Sequence, residues 1–211
     1  MKNMKRILIV FLAIALTFAF VACKADTTAQ TTNADNTSSQ AQTAEKSGKQ
    51  DTTAGKTLVI YFSATGTTKG VAEKIASATG GDLYEITPAE PYSDADLDWH
   101  DNASRSTKEQ NDKSARPAIA NDTAKLDGYD TIYIGYPIWW GEEPRIMDTF
   151  VEAHSFEGKT VIPFCTSGGS GIGNSGKNLA ELANGGTWLG GDRLDAGISE
   201  SDLQVFIDEN K

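Results

Sequence analysis

Cysteine, histidine and positive charge are scarce in this chain. Its 211 residues include two Cys and two His, and 19 Lys plus Arg face 29 Asp plus Glu, for a net charge of −10. The acidic balance excludes a nucleic-acid binder, because such affinity comes from neutralising phosphates with Lys and Arg. His100 and His154 lie in different segments, and no Cys/His cluster has metal-ligand spacing, so no metal site is expected. No G-x-S-x-G elbow marks a hydrolase nucleophile. No Gly-Lys-Ser/Thr closes a Walker A loop. There are no internal repeats, and the one long uncharged apolar run is Ile7–Ala22.

That run follows a basic start, Lys2, Lys5 and Arg6. It is short for a membrane-spanning helix and has the layout of a secretory signal over residues 1–22. It ends Phe20-Val21-Ala22-Cys23, which resembles the bacterial lipobox, with Phe20 where Leu is usual. The resemblance implies cleavage before Cys23, a lipid on its thiol, and a protein anchored outside the cytoplasmic membrane. Loss of residues 1–22 removes three positive charges and no acid, taking the net charge from −10 to about −13. Residues 23–55 are rich in Thr, Ala, Ser, Gln, Asn and Asp and nearly free of large apolar side chains. Such a segment cannot bury enough surface to offset its chain entropy and is expected to be a disordered spacer. With Cys23 lipidated, Cys165 has no intramolecular disulfide partner.

Residues 56–211 suffice for one core. Apolar, β-rich runs at Thr57–Ser63, Thr131–Tyr136 and Thr160–Cys165, with a weaker one at Asp82–Thr87, read as strands. The first two are apolar nearly throughout, as suits strands buried on both faces of a parallel sheet. Pro163 is awkward in the third, since it cannot donate to a ladder. A fifth strand is expected around Thr187–Leu194, interrupted by Gly190 and Gly191. Helices are expected at Thr67–Thr79, Pro144–Ala153, Lys177–Ala183 and Ser199–Asn210, the last opened by a capping pattern from Ser199 to Asp202. This alternation predicts a doubly wound α/β fold. Residues 91–117 form a polar excursion too long for a plain loop in such a domain, hence partly helical or functional.

The chemistry concentrates at strand ends. Ser63, Ala64, Thr65, Gly66, Thr67 and Thr68 leave the first strand and open the first helix. Backbone N–H groups at a helix N-terminus favour an anion. Gly66 lets the backbone approach a ligand, and a bulky side chain there should collide with ligand and strand. The Ser and Thr hydroxyls add donors, and Lys69 is the one basic residue nearby. Neutral donors with one lysine suit a held phosphate monoester better than a phosphoryl group in transfer. The run Val59-Ile60-Tyr61-Phe62-Ser63-Ala64-Thr65-Gly66-Thr67-Thr68, followed by Ala72 and Ile75, resembles the flavodoxin signature across its span. The resemblance implies a short-chain, flavodoxin-like, five-stranded parallel sheet of order 2-1-3-4-5, and FMN as cofactor with its phosphate in this loop.

Ligands in open α/β sheets bind outside the strands' carboxyl ends, where the strand order reverses. That places Pro137, Ile138, Trp139, Trp140 and Gly141, after the third strand, beside the phosphate loop. At least one of the two Trp is expected to stack on the flavin ring. The loop after the fourth strand, with Thr166, Ser167, Gly168, Gly169 and Gly171, is expected to offer backbone N–H groups to the ring edge. It lacks the aromatic that short-chain flavodoxins often place there, so one ring face is open or covered from elsewhere, with Trp99 a candidate. Gly171-Ile172-Gly173-Asn174-Ser175-Gly176 fits G-x-G-x-x-G, but it follows the fourth strand and does not read as a dinucleotide turn. Glu142 and Glu143 read as solvated acids or first-turn acids of the next helix. Cys165 reads as a buried small hydrophobe. The family resemblance implies an electron carrier that docks with redox partner proteins or, alternatively, an NAD(P)H-dependent flavin oxidoreductase acting on a quinone or similar acceptor.

Overall fold

A computed structural model describes residues 55–211; the signal, Cys23 and spacer expectations lie outside the described residues. Strands β1 (Thr57–Tyr61), β3 (Thr131–Pro137) and β4 (Thr160–Thr166) form the buried centre of a parallel sheet, and β2 (Asp82–Glu85) lies on the exposed edge. The order is β2-β1-β3-β4-β5, the doubly wound order with its switch between β1 and β3. In register, Thr57 pairs with Thr131, Thr131 with Thr160, and Thr160 with Thr187, a row of threonines across the sheet where its strands begin.

Each central strand is apolar on both faces because both are covered. Leu58, Ile60, Phe62, Ile132, Ile134 and Tyr136 face one core with α3 (Arg145–Ala153) and α4 (Ser175–Leu182). Val59, Tyr61, Tyr133, Ile162 and Phe164 face the other, with α1 (Thr67–Thr79) and α5 (Glu200–Glu209). The Ser199 hydroxyl accepts from the Asp202 N–H at 3.1 Å, as its capping pattern predicts. Pro144 is the cap of α3 and not its first helical residue. The excursion is partly helical, with α2 at Arg105–Asn111.

The fifth strand is broken into β5 (Thr187–Trp188) and β6 (Asp192–Arg193), both parallel to β4. The break falls opposite Pro163, which has no N–H to donate. Leu189 N–H bonds the Val161 carbonyl and Leu194 N–H the Cys165 carbonyl, at 2.9 and 2.8 Å, so pairing resumes beyond the proline. Gly191 lies in between with φ 66°, and a Cβ there would collide with the Pro163 carbonyl. The missing Pro163 N–H accounts for the gap, and the close approach to its carbonyl accounts for Gly191.

Candidate functional site

At the carboxyl ends of β1 and β3 the structure holds a cleft of about 350 Å³. One wall is Ser63, Ala64, Thr65 and Thr68; a second is Pro137, Ile138, Trp139 and Trp140; a third comes from the excursion through Leu97, Trp99 and Ser106. The first two loops are thus brought together as their sequences imply.

In the 63–68 loop, Gly66 is the N-cap of α1, with φ 87° and no side-chain cap bond. The hydroxyls around it do not cap the helix. Thr68 Oγ1 lies 2.8 Å from Thr166 Oγ1, which ties the start of α1 to β4, and Thr65 Oγ1 lies 3.3 Å from Thr67 Oγ1. The buried Ser63 hydroxyl has no partner among the described residues. An unmatched buried hydroxyl costs about 1–3 kcal/mol, so it marks a place where a ligand acceptor would be stabilised. A Cβ on Gly66 would meet nothing within 4 Å, which corrects the expected collision with the strand. What demands glycine is its left-handed backbone. Lys69 is engaged with Glu85 at 3.6 Å, so the loop's donors are neutral.

The second loop closes as a two-residue turn. Trp139 and Glu142 exchange N–H···O bonds of 3.0 Å in both directions. The central residues Trp140 and Gly141 have φ 50° and 83°, the signs of a type I′ turn. Asn or Gly is usual where Trp140 stands; a Trp with positive φ is strained, and such strain clusters at ligand clamps. The neighbouring tryptophans differ. Trp139 is half-buried, meeting Phe62 edge-on at 5.7 Å and Tyr92 at 5.2 Å. Trp140 is 46% exposed and lines the cleft. Trp99, across the cleft, is exposed too.

The base of this turn is held from afar. The Gln110 amide of α2 donates to the carbonyls of Trp139 and Glu143 at 3.1 and 3.2 Å. Buried Arg145 bonds Glu142, lies 3.4 Å from Glu143 and 3.3 Å from Asp148, and donates to the Gln110 carbonyl at 3.3 Å. Glu143 is therefore not a solvated acid: it is buried, with Asn178 as a further partner. Burial pushes its carboxyl up to about 7 and that of Asp148 up to about 6, despite the arginine beside both. Hydrogen bonding to Arg145 instead lowers the pKa of Glu142.

The third loop is placed differently. Thr166 is buried in the tie to Thr68, and its carbonyl accepts from Ile138 N–H at 2.9 Å. Gly168, Gly169 and Gly171 are exposed and Ser167 half-buried, and none of the four lines the cleft. Cys165 is fully buried and burial pushes its thiol up to about 12, the behaviour of a packing residue. Among the described residues no group of acids, His and Cys is placed to hold a metal ion. Leu97 and Ser106 as cleft residues, and Gln110 and Arg145 as supports of the second loop, go beyond what the sequence predicts. Their segments carry no local pattern that points to the cleft.

The flavodoxin family profile matches residues 56–210. A protein from Bacteroides eggerthii described as a flavoprotein is 50% identical, over 74% of this chain and 98% of its own, with a TM-score of 0.70. One from Bacteroides uniformis, also described as a flavoprotein, is 52% identical over 73% and 98%, with a TM-score of 0.69. A Lactobacillus acidophilus flavoprotein, solved in complex with FMN, is 27% identical over 73% and 99%, with a TM-score of 0.56. No curated protein matches the chain. Sheet order, phosphate-loop signature and profile agree: the chain belongs to the flavodoxin family.

Proposed function

We propose that the protein binds FMN in this cleft and carries electrons outside the cytoplasmic membrane, tethered by a lipid on Cys23. The observation that carries the FMN reading is the uncapped N-terminus of α1, with Gly66 left-handed and unobstructed and the Ser63 hydroxyl unpartnered beside it. Backbone N–H groups and neutral hydroxyls there suit a phosphate. Trp140 is the ring platform, because Trp139 is already engaged by Phe62 and Tyr92. FMN supplies the reversible electron chemistry when bound. The 63–68 loop and the start of α1 would hold its phosphate, and Trp140 would cover a ring face.

The carrier reading draws support from the acidic chain, which suits docking to a basic redox partner. The exposed, aromatic-free glycine loop after β4 favours a second reading, an NAD(P)H-dependent oxidoreductase with a quinone-like acceptor. Two measurements separate these readings. The purified protein should be yellow and release FMN; FAD, or a colourless protein that takes up no FMN, overturns the cofactor. Steady turnover of NADH or NADPH with a quinone would replace the carrier by the oxidoreductase. Support for the tether is the resemblance of Phe20-Val21-Ala22-Cys23 to the bacterial lipobox, with Phe20 in place of the usual Leu. Cys23→Ala should abolish lipidation and release the protein from membranes, and a processed variant that stayed membrane-bound would contradict the anchor.

A further inference from the structure

The excursion contributes a polar group to the cleft that nothing so far explains. Ser106, in α2, is 1% exposed, and its hydroxyl has no hydrogen-bond partner among the described residues. Its neighbours on α2 are mostly engaged, although the Gln110 Oε1 one turn on also has no partner among the described residues. The Ser104 hydroxyl lies 2.8 Å from Thr107 Oγ1 and caps the helix, and the Gln110 amide holds two carbonyls. Ser106 itself is fixed by its N–H, which donates to the Asp96 carbonyl at 3.0 Å. Among the described residues, the other buried hydroxyl without a partner is that of Ser63, which lines the same cleft from the end of β1.

We propose that Ser106 is a cofactor-binding residue whose hydroxyl donates to the phosphate of FMN, so that the excursion completes the anion site begun by the 63–68 loop. This rests on the FMN reading above. The polar residues lining the cleft are Ser63, Thr65, Thr68 and Ser106, all hydroxyls, while the remaining lining is apolar or aromatic and suits the ring. A phosphate monoester offers several acceptor oxygens, so it can satisfy several donors at once. The cofactor would then bridge two segments far apart in the chain, and the excursion would close on the phosphate rather than merely border it.

The test is titration of flavin-free full-length protein with FMN and, separately, with riboflavin, which lacks the phosphate. Ser106→Ala should weaken FMN by at least about tenfold, about 1.4 kcal/mol, and leave riboflavin affinity within about twofold. The flavin-free variant should melt no lower than the parent, because an unpartnered hydroxyl has no bond to lose. Unchanged FMN affinity in Ser106→Ala, with the parent binding FMN, overturns the proposal and leaves the function intact. So does an equal loss of riboflavin affinity, which would put the hydroxyl on the ring. A lower melting point without FMN would show a packing role instead. A parent chain that takes up no FMN brings down the functional reading and this proposal together.

Discussion

The 63–68 loop and the 137–143 loop form adjoining walls of one cleft, yet they are built in opposite ways. The first is set by its own residues: a glycine that turns left-handed, a helix that starts at once, and one tie from Thr68 to Thr166. The second holds a Trp with positive φ at the tip of a tight turn, and its base is fixed by Gln110 and Arg145. A site of local origin should fail by losing its ligand. A site supported from a distance should fail by losing its shape, its pH response or its stability.

The largest effect is expected at Gly66. Gly66→Val imposes a β-branched residue on φ 87° and occupies the open space beside the helix start. FMN binding should be lost, by more than about a hundredfold, while the flavin-free protein should still fold at reduced stability, because no protein atom blocks the Cβ but the left-handed backbone strains any side chain. Retained FMN binding on equilibrium titration would show that the first loop is not the anion site.

The next contrast lies between the two tryptophans. Trp140→Ala should weaken FMN by about tenfold to a hundredfold, since stacking is worth roughly 1–3 kcal/mol per ring. It should also brighten the fluorescence of the flavin that remains bound. The fold should barely notice. Trp139→Ala removes a ring packed on Phe62 and Tyr92 and should cost about 3 kcal/mol of stability. Denaturant titration beside flavin titration separates the two. An exchange of these phenotypes would move the platform to Trp139.

A third effect tests the buried charges. The Glu143 carboxyl is raised from 4.5 to about 7 in the folded chain. Between those values the folded protein keeps a proton that the unfolded chain has lost, so stability should fall as pH rises through this window and level off above it. Asp148, raised to about 6, adds to the lower part of the same fall. Glu143→Gln should flatten the slope between about pH 5 and 7.5. An unchanged slope would assign the pH dependence elsewhere.

The smallest effect separates strain from function within one residue. Trp140→Asn puts the residue favoured at this position of a type I′ turn where φ is 50°. The flavin-free protein should gain up to about 1 kcal/mol, seen as a rise of roughly 2–4 °C in Tm, while FMN weakens as in Trp140→Ala. A fall in Tm would mean that the indole supports the turn itself.

Legibility in the sequence followed the same division. The central strands, α1, α5 with its Ser199 cap, and the first loop depend on neighbours in sequence, and periodicity or spacing exposes them. The break in the fifth strand was half visible, since Gly190 and Gly191 mark it, but its cause sits on β4 at Pro163, more than twenty residues away. Glu143 looks like a surface acid beside Pro144 until Arg145, Asn178 and Gln110 close over it. Ser106 looks like any polar residue in a polar stretch until the excursion folds against the cleft. Patterning reports which face of an element is apolar. It does not report which distant side chain satisfies, or leaves unsatisfied, a buried polar atom.

The row of threonines from Thr57 to Thr187 marks the pole of the sheet where β1 begins, and the cleft lies at the opposite pole, where β1 and β3 end. In a parallel sheet every strand shares this polarity, so the side on which the spacer joins the domain is fixed by the fold. Residue 55, where the described residues begin, therefore lies at the pole of the sheet opposite Trp140 and Trp99. The chain can thus enter the domain without crossing the cleft, so whatever precedes residue 55 joins the fold at the end away from the ligand loops.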